Sequence, residues 1–172
     1  MPVTSRRFRD VLGRFATGVT VVTGVTGDGR PVGVTVNAFA SLSLDPPLVL
    51  ISLARTTADL DAYLKGKKFA VNILSDRQRA LSVAFSRRPK TIFRRTAYET
   101  WESGCPILAG CLANMECTRI AVHEGGDHFI IVGRVDRLDH ADDGNPLVYF
   151  RGRYARLRGP IRSRVVKSGP GD

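Results

Sequence analysis

Apolar side chains in this chain fall into short alternating or continuous runs, a pattern typical of β-strands. Residues 17–25 are rich in valine and threonine and predict a strand. The pair Asp28 and Gly29 follows, which suits a tight turn, so residues 31–39 are predicted to return as the second strand of a β-hairpin. Further apolar runs at 48–53, 69–74, 108–120, 128–138 and 146–150 bring the total to about seven strands.

Three segments have the spacing of short helices instead. Apolar residues recur at every third or fourth position over 7–15, namely at Phe8, Val11, Leu12 and Phe15. Thr56 or Thr57 can cap a second short helix near 60–64, and Ser75 can cap a third at 76–85. Residues 86–105 have no clear period and predict a long loop. Hairpin-linked strands with a few short helices favour a β-barrel with peripheral helices.

Length and composition indicate a single domain. The 172 residues, 43% of them hydrophobic, suffice for one core. We place the domain at residues 1–157, because 158–172 are rich in Arg, Gly and Pro and predict a loose basic tail. Three cysteines argue against a disulfide framework and for a reducing compartment. No apolar run approaches the ~20 residues that cross a bilayer, and no signal segment is visible, so we expect a cytoplasmic protein.

The chain is strongly basic, with 26 Lys and Arg against 16 Asp and Glu and a net charge of +10. Two stretches, 77–95 and 151–167, carry much of the excess. Such fields attract polyanions, so nucleic acid, phosphate-bearing cofactors and a merely solvated basic surface are the three interpretations. Aromatic residues make up only 8% of the chain and are not interleaved with the basic runs, which weighs against nucleic acid.

Common catalytic motifs are absent from the sequence: it has no glycine-rich dinucleotide fingerprint, no P-loop and no nucleophile elbow. Cys105, Cys111 and Cys117 are six residues apart, which is not a zinc spacing, so no metal site is predicted. The most informative segment is 33–49, where small hydroxyl and amide residues follow a strand. Such residues suit a planar polar ligand close to the backbone, but they also suit an ordinary turn, so both interpretations stay open.

Six segments together resemble the flavin reductase-like proteins, an FMN-binding split-barrel family. They are FATGVTVVT at 15–23, the stretch from TVNAF to DPP at 35–47, FAVNIL at 69–74, GCPIL with ANMEC within 104–117, GDHFIIVGRV at 126–135 and PLVYFRGRY at 146–154. Each segment is weak evidence alone, but they occur in the family's order across almost all of 8–157.

The resemblance implies a mainly β, Greek-key split barrel with short peripheral helices, and a homodimer with a flavin near its interface. It implies an NAD(P)H:flavin oxidoreductase that transfers hydride to FMN or FAD and supplies free reduced flavin to a partner monooxygenase. The choices between FMN and FAD, and between NADH and NADPH, stay open. No nucleic-acid or membrane partner is expected.

The same resemblance assigns site residues by position. Those expected around the flavin ring are Thr35, Val36, Asn37, Ala38 and Ser41, and those expected around its phosphate are Ser52, Ala54, Arg55, Thr56 and Thr57. Arg88, Lys90 and Arg151 would add cationic contacts, although 87–93 depart from the family's usual pattern. Tyr154 would stack on flavin or nicotinamide, and His128 would lie beside the nicotinamide as the catalytic residue.

One alternative function uses the same barrel. A flavin-binding electron carrier or sensor would hold its flavin tightly and oxidise NADH slowly, whereas a reductase would treat the flavin as a substrate. A basic nucleic-acid-binding barrel is the alternative from another class of protein.

Overall fold

Most of the chain is β-strand in the computed structural model, which describes residues 3–87 and 91–157. The strands are β1 (Thr17–Gly18), β2 (Thr20–Val25), β3 (Pro31–Val36), β4 (Phe39–Ser43), β5 (Leu48–Ala54), β6 (Lys68–Ile73), β7 (Tyr98–Thr100), β8 (Pro106–Leu108), β9 (Ala113–Gly125), β10 (His128–His140), β11 (Val148–Phe150) and β12 (Arg153–Ala155). The helices are α1 (Ser5–Leu12), α2 (Asp61–Leu64) and α3 (Arg79–Arg87), with 3₁₀ turns at Asp76–Gln78 and Ile92–Arg94. The predicted mainly β class is confirmed.

Seven strands form one antiparallel sheet in the order β3-β2-β6-β9-β10-β5-β4. The predicted hairpin of β2 and β3 is present, and Gly29 at its turn has φ +83°, which favours glycine. The 13-residue strands β9 and β10 form a long hairpin at the centre of the sheet. A second, three-stranded sheet has the order β1-β11-β12, and β7 pairs with β8.

The largest buried cluster lies on one face of this curved sheet, and two smaller clusters lie against its other face. Buried and half-buried residues alternate along β3 and β5, so each strand turns one face inward and one outward. Val34 from β3 and Ile51 from β5 belong to the same buried cluster as Phe69 from β6. Since β3 lies at one sheet edge and β5 is next to the other edge, the sheet wraps around a shared interior.

Helix α3 is packed closely against β3. Phe85 is completely buried, and a Cβ at Gly33 would lie only 2.5 Å from its Cε1 atom. Phe93 extends this aromatic contact, with its ring centroid 5.3 Å from that of Phe85 in an edge-on arrangement. Glycine at position 33 therefore sets how closely the helix approaches the sheet.

Helix α1 confirms the first helical prediction, with Thr4 as its N-cap and Gly13 at its end. Its apolar side chains, however, are not in the core of the described chain. The exposed fractions are 54% for Phe8, 62% for Val11 and 53% for Leu12, and Phe15 just beyond the helix is 78% exposed. The amphipathic pattern thus produced a helix whose apolar face stays uncovered in one chain.

Two sequence predictions about helix starts had opposite outcomes. Ser75 caps the turn that leads into α3 and forms a reciprocal capping box with Gln78, as predicted. The predicted cap at Thr56 or Thr57 is wrong, because α2 begins only at Asp61, with Leu60 in the capping position. The backbone N–H of Thr57 instead donates to the Ala54 carbonyl in a tight turn that ends β5.

Two other predicted boundaries moved. The strand expected at 31–39 ends at Val36, because the chain bends so that the Ala38 carbonyl accepts from the Ser52 N–H; β4 then starts at Phe39. The loop expected at 86–105 includes a 3₁₀ turn and the short strand β7, which pairs with β8. Residues 88–90 and the predicted tail at 158–172 lie outside the described residues. No helix in 3–87 or 91–157 is long and apolar enough to cross a membrane.

A polar network fastens β6, β9 and β10 on the outer side of the sheet. Asp136 accepts hydrogen bonds from Lys68 Nζ at 2.8 Å and Arg134 Nη2 at 3.0 Å, and also from the Thr118 hydroxyl. Burial acts to raise the pKa of Asp136, but the hydrogen bonds from Lys68, Thr118 and Arg134 outweigh it and lower the pKa to about 2.

Candidate functional site

A cavity of about 650 Å³ opens where the end of α1, the bend after β3 and the turn between β11 and β12 meet. Its lining comprises Arg9, Leu12, Gly13, Phe15, Thr17, Asn37, Ala38, Phe39, Ala40, Leu50, Ser52, Tyr149, Arg151 and Gly152. A volume of this size is in the range that holds a small-molecule cofactor or substrate.

A second cavity of about 410 Å³ adjoins the first. Asn37, Tyr149 and Gly152 line both, and we call the two neighbouring cavities together the cleft. The remaining lining residues of the second cavity are Val19, Thr35, Val83, Ser86, Arg87 and Tyr154. We call the 650 Å³ part the first cavity and the 410 Å³ part the second cavity.

The turn between β11 and β12 is fastened directly to the end of α1. Arg151 and Gly152 have φ +49° and +73°, which closes a two-residue hairpin turn. The Arg151 N–H donates to the Gly13 carbonyl at 2.8 Å. A Cβ at Gly13 would lie 3.1 Å from the Arg9 carbonyl oxygen and 3.4 Å from the Arg151 Cα, so the backbone is closely packed at this point. The contact fixes the rim of the first cavity.

The chemistry of the cleft suits a planar aromatic ligand that carries an anionic group. The walls of the first cavity are largely apolar, with Leu12, Phe15, Phe39 and Leu50 among them. Arg9 and Arg151 line the first cavity and Arg87 lines the second, whereas neither lining includes an Asp or Glu. A flat ring could pack on the apolar walls while a phosphate group lies against the arginines.

Thr17 supplies an unusual polar group in the wall of the first cavity. Its hydroxyl oxygen is buried and, among the described residues, has no hydrogen-bond partner. Buried polar groups are normally paired, so an unpaired hydroxyl beside a cavity is a candidate contact for a polar ligand.

Helix α3 is joined to the second cavity by two hydrogen bonds at Ser82. The Tyr154 hydroxyl lies 2.8 Å from Ser82 Oγ, and Thr35 Oγ1 donates to the Ser82 carbonyl at 2.6 Å. The ring of Tyr154 meets that of Tyr149 edge to face, at 5.5 Å between centroids. The Tyr154 hydroxyl therefore already has a hydrogen-bond partner, and the tyrosine ring is the part of the side chain that lines the second cavity.

His128 begins β10 and lies on the same outward sheet face as the first cavity. It is paired with Ala54, while Ser52, two residues earlier on β5, is paired with Ile130. Two residues along a strand cover ~7 Å, so His128 is close to the cavity wall at Ser52. Its Nδ1 atom lies 2.7 Å from Asp127 Oδ1, which leaves Nε2 to face a ligand.

Asp127 links this histidine to the rim of the cleft. Its hydrogen bond with His128 lowers the pKa of Asp127, and the charge of Arg9 contributes in the same direction. Neither Asp127 nor His128 lines either cavity, but Arg9, which lines the first, lies close enough for its charge to act on Asp127.

The structure brings several of the residues predicted from the sequence into the cleft. Those lining one or both cavities are Thr35, Asn37, Ala38, Ser52, Arg151 and Tyr154. Ala54 lies beside His128, as its strand pairing requires. The predicted segments therefore do meet, although they come from distant parts of the chain.

Other predicted residues lie elsewhere. The side chain of Val36 is in the core, only 6% exposed, so it can offer a ligand only its backbone. Ser41 and Thr56 are exposed and Thr57 is buried, and none of them lines either cavity. The Arg55 side chain packs against the turn between β9 and β10.

Arg88 and Lys90 lie outside the described residues. Within 3–87 and 91–157, no group of three or more His, Cys, Asp and Glu side chains is arranged to hold a metal ion.

Most residues that line the cleft were not predicted from the sequence, and those with polar or aromatic side chains include Arg9, Phe15, Thr17, Arg87 and Tyr149. Arg9 and Phe15 belong to a helical segment whose pattern predicted packing and not ligand binding. One signal was available for Phe15: an apolar residue just beyond a helix end suits a cavity rim. The others carry no local signal, because the cavity forms only when β1, α3 and β11 come together.

Comparison with known proteins gives consistent matches. Residues 12–158 match the flavin reductase like domain family. The chain is 47% identical over 153 residues to the FMN reductase (NADH) SmoA of Agrobacterium fabrum, covering 89% of this chain and 86% of that protein. It is 40% identical to HsaB of Rhodococcus jostii, a reductase subunit of a flavin-dependent monooxygenase, covering 90% of this chain and 79% of that protein. The structure matches that of the NADH:FAD oxidoreductase from Streptomyces globisporus with a TM-score of 0.86 and 34% identity, covering 92% of this chain and 96% of that one.

Proposed function

Because the chain belongs to the flavin reductase like family, we propose that it is an NAD(P)H-dependent flavin reductase. It transfers hydride to FMN or FAD and supplies free reduced flavin to a separate monooxygenase component. The relatives named above include an FMN reductase (NADH) and a monooxygenase reductase subunit, and a structural relative is an NADH:FAD oxidoreductase.

One observation supports this function most directly: an apolar cleft is edged by arginines, and His128 lies only ~7 Å along the sheet from Ser52 in the cleft wall. Flavin and nicotinamide are both flat rings attached to phosphate, and the cleft offers flat apolar walls and cationic groups. The unpaired Thr17 hydroxyl lies just behind the wall of the first cavity, where a small local movement would let it contact a heteroaromatic ring. The residues present therefore fit both groups.

The redox chemistry is supplied by the bound groups themselves, as a hydride passes from nicotinamide C4 to flavin N5. The protein binds the nicotinamide and the flavin and orients the two rings for this transfer. Asn37, Ala38 and Ser52 hold the flavin ring in the first cavity, while Arg9 and Arg151 attract its phosphate.

His128 contacts the nicotinamide through its Nε2 atom, since Asp127 occupies Nδ1. The apolar walls exclude water from the place where the two rings meet. Tyr154 packs at the border of the second cavity through its ring. Arg88 and Lys90 stay predicted phosphate contacts.

The assembly we propose is a homodimer of Greek-key split barrels. Supporting the barrel, strands close to both edges of the seven-stranded sheet share one core. Supporting the dimer, α1 exposes Phe8, Val11 and Leu12, and the bend after β4 exposes Leu44 at 94%. An apolar face of this kind is costly in water, and a second copy would cover it. Light scattering should give twice the 18.8 kDa of one chain, and a monomer would contradict the dimer.

The partner we propose is a flavin-dependent oxygenase reached by diffusion of reduced flavin. We place the protein in the cytoplasm, because all three cysteines are free and buried, which suits a reducing compartment.

The function is tested by NADH and NADPH oxidation with increasing concentrations of FMN and of FAD. A reductase gives turnover that requires added flavin and saturates with it. A protein that is purified with tightly bound flavin and oxidises NADH only slowly would instead be an electron carrier or sensor.

A further inference from the structure

Arg55 lies next to the turn that carries His128, without touching His128 itself. It follows Ala54, the residue paired with His128, so it stands just past the end of the paired strands. The turn is tight, and Gly126 within it has φ +67°. The pairing of Gly125 with His128 closes the turn, and contacts from outside the hairpin add to its position.

Arg55 makes those contacts at four positions around His128. Its backbone N–H donates to the Asp127 carbonyl at 2.9 Å, and its Nε donates to the Gly126 carbonyl at 2.8 Å. Its Nη2 atom lies 3.0 Å from Glu124 Oε2. The face of the guanidinium lies 4.3 Å from the ring centroid of Phe129.

The ion pair is the least important of these contacts. The Glu124 side chain is 78% exposed, and exposed pairs contribute little. The hydrogen bond to the Gly126 carbonyl and the stacking on Phe129 need the flat, forked shape of a guanidinium, which lysine lacks. Arginine at this position therefore holds the turn by shape as well as by charge.

We propose that Arg55 is a positioning residue for the reductase reaction, which holds the turn so that Asp127 and His128 face the nicotinamide, and that it is not a flavin phosphate ligand. This inference rests on the proposed function. The two roles make different demands on the same side chain. A phosphate ligand must turn its N–H groups toward the cleft, whereas here Nε and Nη2 are engaged by the turn.

The test compares Arg55→Ala and Arg55→Lys with the wild type. In a positioning role, Arg55→Ala raises the KM for NADH at saturating FMN about five- to tenfold, while the Kd for FMN stays within about twofold. Arg55→Lys keeps the charge but loses the carbonyl bond and the stacking, so it resembles Arg55→Ala. A phosphate ligand gives the reverse pattern: a weakened Kd for FMN, largely rescued by lysine. That pattern would overturn the proposal.

A second readout needs no activity. Hydrogen exchange of the ligand-free protein should be faster at 124–129 in Arg55→Ala and unchanged elsewhere; unchanged exchange at the turn would also overturn the proposal. Arg30→Ala is the matched control, because Arg30 pairs with Asp28 at the β2–β3 turn and lines neither cavity. It should alter neither the KM for NADH nor exchange at 124–129.

The two readouts separate this inference from the proposed function. If the wild type oxidises no NADH, the proposed function fails and the catalytic part of the inference fails with it. Hydrogen exchange still decides whether Arg55 holds the turn.

Discussion

Replacing Gly33 by alanine tests how α3 is held against the sheet and, through α3, the wall of the second cavity. The new Cβ would lie 2.5 Å from Phe85 Cε1, 2.8 Å from its Cδ1 and 3.3 Å from Phe93 Cζ. Carbon atoms do not approach within 3 Å without displacement, and Phe85 is completely buried. Its ring must therefore move, together with the helix that carries it.

The expected cost follows from overpacking. Inserting one methyl group into a well-packed core costs about 1–3 kcal/mol, so we expect the free energy of unfolding to fall by about 2 kcal/mol. For a chain of this length, that lowers Tm by about 6 °C. Since Val83, Ser86 and Arg87 of α3 line the second cavity, the KM for NADH or FMN should rise as well.

Thermal unfolding followed by circular dichroism measures the effect, and two further variants show its cause. Gly27→Ala is the control, because a Cβ there meets nothing within 4 Å and the φ of Gly27 is not positive. Phe85→Leu removes the ring, so Gly33→Ala should cost about 1 kcal/mol less in that background. If Gly33→Ala melted at the same temperature as Gly27→Ala, the reasoning about this contact would be refuted.

Four further predictions concern the cleft and the outer network. His128→Ala should raise the KM for NADH about tenfold in steady-state assays and leave the Kd for FMN nearly unchanged; unchanged kinetics would remove its assigned role. Tyr154→Phe leaves the buried Ser82 hydroxyl without its partner and should lower the free energy of unfolding by about 1–2 kcal/mol in denaturant titrations; an unchanged midpoint would count against that bond. Thr17→Val removes an unpaired buried hydroxyl, so the free energy of unfolding of the ligand-free protein should rise by about 1 kcal/mol, whereas FMN should bind more weakly. A loss of stability would show that the hydroxyl has a partner. Because the pKa of Asp136 is lowered to about 2, its ionised form stabilises the fold above pH ~4, and this stabilisation is lost as the pH falls towards 2. Asp136→Asn should therefore reduce the loss of stability at low pH, and an unchanged dependence of stability on pH would contradict this role.

The sequence predicted most of the longer strands well, because their signals are local, but the single strand expected at 108–120 is divided between the end of β8 and the start of β9. The valine and threonine run of β2, the Asp-Gly turn and the glycine turn before β10 all specify structure within a few residues. Ser75 likewise correctly predicted where the helical segment of α3 begins, because a capping signal lies within four residues. Thr56 and Thr57 also have the residue type of a helix cap, but no helix begins there. The Thr57 N–H donates to the Ala54 carbonyl in the turn that ends β5.

The candidate site was less predictable, for a physical reason. Asn37, Ser52, His128 and Arg151 were found through resemblance to a family, not through spacing, because residues this far apart in sequence have no local pattern. Nor could the sequence show that the Val36 side chain faces the core, or that α1 leaves its apolar face uncovered. Such facts depend on which strand face turns inward and on how the helix lies against the rest of the fold.

In the proposed reaction, free flavin is the substrate and its reduced form is released. Anaerobic mixing of a small amount of the purified protein with excess NADH and excess FMN tests this release. We expect flavin absorbance to be lost for many FMN molecules per protein molecule. Loss equal to one FMN per protein, or none with either FMN or FAD, would contradict it.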